Sequence, residues 1–347
     1  MSASGARARK SSPEAPFPLT TFDLIGPPVL SRSAVLRDEP LRIDAARQLA
    51  GWPSAQLVVV DGEGRTPVIW DDEPDAGFRV ADAGSWDVGG GARLNTRATT
   101  GDAPPPEAVL LGERDAVAYW AVRGKPDLMA GDDPGEWADL RMTGAVLDAL
   151  GAGLFTTAVA ALNWHDASSF CSRDGSPMRS AHAGWHRYCA AAGHEEYPRT
   201  DPAVICLVHD GGTGPEAGVL LARQPSWPER RYSVLAGFVE AGESLEACVL
   251  REIHEEVGVR VEDVRYLGSQ SWPFPRSLMV GFHAVADPDV PLVPADGEIA
   301  EAFWATRDDV RVALGEGDWS ARTEAPFLLP GKVSIARSMI ESWAAQD

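Results

Sequence analysis

Three glutamates in one short segment have the chemistry to bind a divalent cation. They are Glu252, Glu255 and Glu256, in the stretch GFVEAGESLEACVLREIHEEVGV from 237 to 259. A helix advances about 100° per residue, which places the three side chains within an arc of about 100°. Carboxylates this close repel one another, and a cation between them reverses the sign of that interaction. Oxygen ligands without imidazole or thiolate favour Mg²⁺ or Mn²⁺.

The same segment carries the signals of the helix that must hold these glutamates. Ser244 is a predicted N-cap, and Gly258 suits a left-handed helix end. Apolar residues recur at every fourth position and predict one buried face, formed by Leu245, Val249, Ile253 and Val257. On its own, the pattern R-E-x-x-E-E would fit an acidic face exposed to water equally well.

The complete pattern resembles the Nudix box. The matching positions are Gly237, Glu243, Arg251-Glu252, Glu255-Glu256 and Gly258-Val259. The resemblance implies a Nudix hydrolase of the α/β class. Its fold is an α/β/α sandwich whose loop–helix–loop box holds Mg²⁺ or Mn²⁺ against a nucleoside diphosphate linkage.

Carried over by motif position, the resemblance assigns a role to each residue of the predicted catalytic set. Glu252 and Glu256 correspond to the principal metal ligands, and Glu255 to an auxiliary ligand or a carboxylate that orients water. The carbonyl of Ala236, just before the box, corresponds to another metal contact. Arg251 corresponds to a residue that orients the glutamates by ion pairing.

A second motif, SQSWPFPRS from 269 to 277, narrows the branch. It resembles the S-Q-P-W-P-F-P-x-S signature of the NADH pyrophosphatases, which marks selectivity for dinucleotides. Prolines stiffen a loop and present Trp272 and Phe274 as flat surfaces for a base or a nicotinamide. Ser271 stands where the signature has its first proline, so we expect a less rigid loop. The predicted substrate contacts of this motif are Gln270, Ser271, Trp272, Pro273, Phe274, Pro275, Arg276 and Ser277.

Further matches extend the resemblance over residues 165 to 347. Tyr197, in a Y-P-R stretch, corresponds to a tyrosine of the base pocket. Phe238 is placed to stack on adenine, and Glu298 corresponds to a distal glutamate of the metal site. Ala336, in an S-I-A-R stretch, corresponds to a residue that borders the substrate.

The polar segment from 165 to 200 resembles the zinc ribbon of this branch, but it is degenerate. Cys171 and Cys189 are retained, whereas Asp174 and Ala192 replace the other two cysteines. Cys171, Asp174 and Cys189 could still hold a structural zinc with a histidine as fourth ligand, for which His182, His186 and His194 are candidates. A ribbon-shaped module held by packing alone is the alternative.

The rest of the chain predicts supporting elements. Residues 1–18 have the composition of a mobile tail, 19–164 of an α/β domain, 165–200 of the ribbon-like module and 201–347 of the Nudix domain. In the α/β domain predicted over 19–164, short β-like runs precede a predicted helix over 136–164 that is interrupted near Gly151 and Gly153. Strands predicted over 203–210 and 217–223 flank a glycine-rich turn and predict a hairpin.

Composition excludes some classes of function. With 31 basic and 51 acidic residues among 347, the net charge is −20, which opposes any extended grip on nucleic acid or anionic membranes. Four cysteines in a chain of 347 residues do not form a disulfide framework. No signal peptide is visible, and the longest apolar run, 149–162, is too short for a bilayer. We therefore expect a soluble cytoplasmic protein, and the resemblance adds a homodimer.

The two motifs and the family that they resemble predict a metal-dependent hydrolase that cleaves NAD(H) into AMP and nicotinamide mononucleotide. Removal of 5′-NAD caps from RNA is a related activity of this branch, since a cap requires only its dinucleotide end to be bound. Two alternatives stay open, a Nudix hydrolase for another nucleoside diphosphate such as ADP-ribose, and a regulator that binds nucleotides without turnover. The full carboxylate set opposes the regulator, because binding alone does not require it.

Overall fold

The computed structural model describes residues 21–71, 91–124 and 135–347, so the tail predicted over 1–18 lies outside them. The strands in the described residues are β1 (Gln56–Val60), β2 (Arg65–Trp70), β3 (Ala92–Leu94), β4 (Arg97–Ala98), β5 (Val109–Arg114), β6 (Val117–Arg123), β7 (Glu136–Asp139), β8 (Arg179–Ala181), β9 (His186–Cys189), β10 (His194–Glu196), β11 (Asp201–His209), β12 (Gly218–Arg223), β13 (Leu235–Phe238), β14 (Glu262–Trp272), β15 (Ser277–Val285) and β16 (Glu301–Thr306). The helices there are α1 (Glu39–Ile43), α2 (Ala45–Gly51), α3 (Leu140–Thr143), α4 (Ala149–Ala167), α5 (Leu245–Val257), α6 (Arg307–Glu316) and α7 (Ile335–Ala344).

The C-terminal part is an α/β/α sandwich, as predicted. Its sheet has the order β14-β15-β11-β12-β16, and β13 pairs with β11. Alternate residues of β11 face opposite layers, because successive side chains of a strand point to opposite sides. Val204, Cys206 and Val208 pack with α5, whereas Ile205 and Leu207 pack with α6 and α7. The predicted hairpin is confirmed as β11 and β12, which pair antiparallel.

The N-terminal part is a mixed α/β unit. Its two sheets have the orders β4-β1-β6-β5 and β3-β2-β7, and residues of α4 share a core cluster with both. The short runs that predicted strands are confirmed as β1, β2, β5 and β6. The three-residue proline run at 104–106 lies outside the strands, as expected of a loop.

The helix predicted over 136–164 is wrong at its start and at its break. Residues 136–139 form β7, which pairs antiparallel with β2, and the helical run is interrupted at 144–148 instead of near Gly151 and Gly153. Pairing with β2 therefore prevails over the local preference of the segment. Asp148 is the N-cap that starts α4, and its Oδ1 accepts from the Gly151 amide at 2.6 Å.

Gly153 serves close packing inside α4. A Cβ added there would lie 2.6 Å from the carbonyl oxygen of Arg32, which is closer than side-chain carbons come to other atoms. The glycine lets the segment around Arg32 run directly against the helix. The sequence predicted a helix break near this glycine. In the structure Gly153 lies inside α4 and allows a neighbouring chain segment to approach the helix.

The middle part, residues 165–200, contains the small sheet β10-β9-β8. Its buried cluster consists of Cys171, Met178 and Cys189. So small an apolar core cannot stabilise an isolated module by packing alone. Contacts with the N-terminal part support it, such as the hydrogen bond from the Trp185 indole nitrogen to the Leu110 carbonyl at 2.7 Å.

The N-terminal and C-terminal parts are joined by buried contacts. The side chain of Gln270 in β14 accepts from the Leu30 amide at 3.2 Å and donates to the Val333 carbonyl at 3.0 Å. Trp272 and Phe274 pack against the apolar cluster of the N-terminal part. The motif from 269 to 277 therefore lies between the two parts. Across the residues that the structure describes, no helix is long and apolar enough to cross a membrane.

Candidate active site

Helix α5 has the predicted signals and presents its glutamates beside the sheet. Ser244 accepts a hydrogen bond from the Ala247 amide, and Gly258 ends the helix with a φ of 77°. Val249, Ile253 and Val257 are buried against the sheet, and Leu245 packs beside them. The apolar face fixes the rotation of α5 about its axis, so the remaining face carries the carboxylates to the end of β13.

Arg251 is the centre of an ion-pair network. Its Nε and Nη2 donate to the two carboxylate oxygens of Glu243, each at 2.8 Å. Its Nη1 donates to Glu252 at 2.8 Å and to Glu255 at 3.0 Å. Hydrogen bonding to Arg251 lowers the pKa of Glu243 to about 2, and the same bonds raise the pKa of Arg251. These contacts have the geometry that the predicted orienting role requires.

Glu256 is the most deeply placed carboxylate of the site. Its Oε2 is buried and has no hydrogen-bond partner among the residues that the structure describes. Burial, followed by repulsion from Glu252 and Glu298, raises its pKa to about 8. A buried carboxylate without a partner is costly unless a positive charge compensates it. The donor set therefore fits a hard divalent cation.

Gly237 makes room for Glu252 at this point. A Cβ added to Gly237 would lie 1.9 Å from the Glu252 carboxyl carbon, which is far inside van der Waals contact. Ala236, the residue before it in β13, pairs with Ile205 of β11 and is fixed by the sheet. Because Gly237 has no side chain, the Glu252 carboxylate can lie against the backbone of β13.

Two cavities meet at the carboxylates. A groove of about 650 Å³ is lined by Phe238, Arg251, Glu252, Glu256 and Glu298, and we call it the acidic groove. A larger cavity of about 980 Å³ is lined by Ala236, Glu256, Trp272 and Ala336 among others, and we call it the aromatic cavity. Glu256 and Gln224 line both. A substrate with its centre at Glu256 could therefore extend into both cavities.

The residues of the second motif, 269–277, lie in different surroundings. Trp272 lines the aromatic cavity and packs edge-to-face on Phe274, with ring centroids 4.9 Å apart. The guanidinium carbon of Arg141 lies 3.6 Å above the Phe274 ring. Asn163 donates to the carbonyls of Pro273 and Pro275, at 3.1 and 3.3 Å. These contacts bind the turn to α3 and α4 of the N-terminal part.

Four other residues of the motif have partners within the protein. Gln270 is buried, and both ends of its amide are bonded to backbone groups, so its contacts hold chain segments together around the site. Arg276 forms an ion pair with Asp201 at 2.7 Å. Ser271 and Ser277 lie in β14 and β15, opposite Leu278 and Trp272 respectively. The structure therefore favours positioning roles for Gln270 and Arg276 over the predicted substrate contacts.

The remaining predicted residues lie at different distances from the cavities. Phe238 is 59% exposed in the acidic groove, and Glu255 is exposed at its rim beside Arg251. Ala336, at the start of α7, is buried and borders the aromatic cavity. Tyr197 lies apart from the lining of both cavities. It donates to Glu195 at 2.8 Å, and its ring packs 5.6 Å from that of His186.

The middle part brings its predicted zinc ligands together. Cys171, Asp174 and Cys189 each offer a ligand atom, and these atoms lie within 4.8 Å of one another. His194 joins them through Cys171, whose Sγ lies 3.4 Å from the histidine Nδ1. His182 and His186 instead contact each other, with their Nδ1 atoms 2.9 Å apart. Of the three histidines considered from the sequence, His194 has the contact expected of a fourth ligand.

Sequence reasoning missed several residues of the aromatic cavity. Gln224 and Trp227 follow β12, Trp319 follows α6, and Arg141 and Met142 belong to α3. None of them belongs to a motif, and they come from segments far apart in the chain. A pro/aromatic stretch, QPSWP at 224–228, was the one local signal available.

Comparison with known proteins agrees with this geometry. Family models match three consecutive stretches, an NADH pyrophosphatase-like rudimentary NUDIX domain at 53–164, an NADH pyrophosphatase zinc ribbon domain at 166–197 and a NUDIX domain at 199–324. The NAD-capped RNA hydrolase NudC of Mycobacterium tuberculosis is 51% identical over 326 residues, which cover 93% of this chain and 97% of that protein.

More distant relatives cover the chain less completely. The human mitochondrial NAD(P)H pyrophosphatase NUDT13 is 39% identical over 245 residues, 69% of this chain and 68% of that protein. Its mouse counterpart is 41% identical over 241 residues, 68% of this chain and 67% of that protein. Motifs, fold and relatives agree, and the chain belongs to the Nudix hydrolase family, in its NADH pyrophosphatase branch.

Proposed function

We propose that this protein hydrolyses the diphosphate of NAD(H) to AMP and nicotinamide mononucleotide, and that it removes 5′-NAD caps from RNA. The observation that carries the proposal is Glu256, which lines both the acidic groove and the aromatic cavity and has a buried carboxylate oxygen without a partner among the described residues. A dinucleotide has the matching shape, since a charged diphosphate joins two flat rings. The names of the relatives support the same substrates.

The carboxylates and the β13 backbone form the proposed metal site. Glu252, Glu256, Glu298 and the Ala236 carbonyl would hold Mg²⁺ or Mn²⁺, and Glu255 would serve as an auxiliary ligand or orient water. When bound, the cation supplies positive charge to the diphosphate and lowers the pKa of a water molecule. Arg251 keeps Glu252 and Glu255 in position through its hydrogen bonds.

We assign each half of the substrate to one of the two cavities. Phe238 lies in the acidic groove, so the adenine ring would stack there. The nicotinamide ring would enter the aromatic cavity beside Trp272 and Ala336. Tyr197, which lies apart from both cavities, would reach a base only in an assembly that brings it to the cavity of another subunit.

Turnover of purified protein tests this function. We expect Mg²⁺- or Mn²⁺-dependent release of AMP and nicotinamide mononucleotide from NADH and NAD⁺, and release of the nicotinamide end from NAD-capped RNA. Preferred cleavage of ADP-ribose would support the alternative of another nucleoside diphosphate substrate. Tight binding of all four compounds without cleavage would support the nucleotide-sensing alternative.

We also propose that the middle part binds a structural zinc through Cys171, Asp174, Cys189 and His194. A tetrahedral sphere with the usual zinc–ligand lengths has edges of about 3.6 Å. The Cys171 Sγ to His194 Nδ1 distance of 3.4 Å and the Cys189 Sγ to Asp174 oxygen distances of 3.7 Å agree with such edges. The middle part, with its three-residue buried cluster, would gain the stability that packing does not provide.

Elemental analysis of the full chain tests the zinc site. We expect about one zinc per chain in the wild type and in His182→Ala, the matched control, but a marked loss in Cys189→Ser and His194→Ala. Zinc-free wild type with unchanged melting temperature would instead support the ribbon held by packing alone.

We also propose that the protein is a homodimer in the cytoplasm. Its four cysteines form no disulfides, which agrees with a reducing compartment.

A further inference from the structure

Two tryptophans outside both motifs form a pair on the wall of the aromatic cavity. The ring centroids of Trp227 and Trp319 lie 4.8 Å apart at an interplanar angle of 53°. Both side chains are half-buried and line the cavity that also contains Trp272. Half-exposed indole rings in a cavity offer flat apolar surface to a ligand.

The pair is held in place by hydrogen bonds to the backbone. The indole nitrogen of Trp319 donates to the carbonyls of Tyr232 and Leu328, at 3.1 and 3.2 Å. The Trp227 amide donates to the Gln224 carbonyl at 3.0 Å, which closes a tight turn. Arg223 also donates to the Trp227 carbonyl, at 3.4 Å. The bonds fix the ring of Trp319 and the backbone of Trp227, whose ring packs on Trp319. The pair is therefore a largely preorganised surface, which costs little entropy when a ligand binds.

The turn also links the pair to the carboxylates. Gln224, at its start, lines both the acidic groove and the aromatic cavity, as Glu256 does. Trp227 stands three residues later and faces the aromatic cavity alone. A ligand bound at Glu256 can therefore extend into the cavity that the tryptophan pair lines. The indole nitrogen of Trp319 is already bonded to backbone, so the recognition available to that ring is stacking.

We propose that Trp227 and Trp319 form a stacking platform for the nicotinamide ring of the substrate. The proposal rests on the proposed function and adds to it the residues that bind one of the two rings. The nicotinamide half is the one concerned, because the platform shares its cavity with Trp272, whereas Phe238 lines the acidic groove.

Steady-state kinetics of Trp227→Ala, with NADH and with ADP-ribose, which lacks the nicotinamide, test the platform. Loss of one stacked ring should raise KM for NADH about tenfold and leave kcat nearly unchanged. KM for ADP-ribose should change little. Trp227→Phe should restore most of the affinity, while Trp227→Leu, which is apolar without an aromatic ring, should not. Equal effects on the two substrates, or no effect on either, would overturn the proposal.

A binding experiment separates this proposal from the proposed function. In the Glu256→Gln background, calorimetric titration should show that Trp227→Ala weakens nicotinamide mononucleotide but not AMP. Trp227-dependent binding together with a wild type that does not hydrolyse NADH would refute the function and keep the platform. Normal hydrolysis of NADH with no dependence on Trp227 would do the reverse. Trp70→Ala is the matched control, because Trp70 is half-exposed in β2 and bonds to Glu136 instead of lining a cavity.

Discussion

Glu256 combines two properties that rarely occur together in a glutamate. It is 7% exposed, and one of its oxygens has no hydrogen-bond partner in the described parts of the chain. Glu252 and Glu298 add repulsion to the cost of burial. The local structure is therefore arranged to attract positive charge, and a cation that satisfies Glu256 also reduces its repulsion with the other two carboxylates.

Replacement of Glu256 by glutamine tests this arrangement. The substitution keeps the size of the side chain and removes its charge, so the metal-free protein should melt at the same temperature or higher. Loss of a principal metal ligand should lower kcat at least about a hundredfold. Stopped assays with NADH and a thermal melt measure the two effects. Glu246→Gln, on the first turn of α5, is the control, and near-normal turnover in Glu256→Gln would contradict the assignment.

The sequence predicted the box residues because their relation is local. Helix spacing alone places Glu252, Glu255 and Glu256 on one side of α5, and the structure has that helix with the predicted ends. The partners of Gln270 lie 240 and 63 residues away in the chain, so no local pattern indicates that its amide holds backbone segments. Trp227 and Trp319 likewise meet only through the tertiary fold.

At the scale of elements, the sequence predicted β1, β2, β5, β6 and α5, where a short apolar run or a four-residue apolar repeat is visible locally. It failed over 136–164, where the structure has β7, the short helix α3 and, after an interruption at 144–148, α4. Pairing partners from elsewhere in the chain cannot be identified from a local pattern.

Gly153 provides a test of how α4 is packed. Alanine there would place its Cβ 2.6 Å from the Arg32 carbonyl, so the two segments must move apart. We expect Gly153→Ala to lower the free energy of unfolding by about 1–3 kcal/mol, despite the better helix propensity of alanine. Gly315→Ala, in α6 with no atom within 4 Å of the added Cβ, should be neutral or stabilising. Denaturant titration measures both, and an equal response of the two variants would contradict the close approach.

A buried histidine pair on neighbouring strands predicts sensitivity to acid. His209 in β11 and His283 in β15 are buried, their ring nitrogens are 3.1 Å apart, and the Phe22 ring packs 4.9 Å from that of His283. Burial, then His283 and Arg307, lowers the pKa of His209 to about 4, although Asp210 and Asp263 act in the opposite direction. Between a pH of about 6.5 and the lowered pKa the unfolded chain binds more protons, so stability falls as the pH falls.

His209→Gln should remove part of this acid sensitivity. Between pH 7 and pH 5 the variant should lose less melting temperature than the wild type, by the equivalent of about 1–2 kcal/mol, because its side chain does not titrate. Melts at several pH values measure this, with the exposed His254→Gln as control. Parallel curves for His209→Gln and the wild type would show that the pair does not titrate in this range.

At the scale of the whole molecule, the aromatic cavity is a joint product of the N-terminal and C-terminal parts. Met142 of α3 lines it while remaining 74% exposed, and Arg141 stacks on Phe274 beside it. In the homodimer that we propose, the partner subunit would cover Met142.

Ser271 is the residue through which we test the assembly. It lies in β14, an end strand of its sheet in the order of the described strands, and sheets accept proline mainly on such edge strands. Ser271→Pro should stiffen the strand end, tighten the dimer and leave NADH hydrolysis equal or higher, an effect of about 0.4–1 kcal/mol. Analytical ultracentrifugation over a concentration series measures the dissociation constant. A wild type that is monomeric at tens of micromolar with full hydrolysis would refute a shared site.

The first described residues pack against the C-terminal helices. Phe22 packs in the apolar cluster of α6 and α7, and the Ile25 amide donates to Ser342 at 3.0 Å across 317 residues of chain. A ribosome that adds about 5–20 residues per second needs about 16–63 s to make those 317 residues. Until Ser342 has been made, the Ile25 amide cannot form this bond, whereas the ring partners of Phe22, His209 and His283, are made earlier. The contact of Ile25 with α7 therefore forms only after the chain between them has been synthesised.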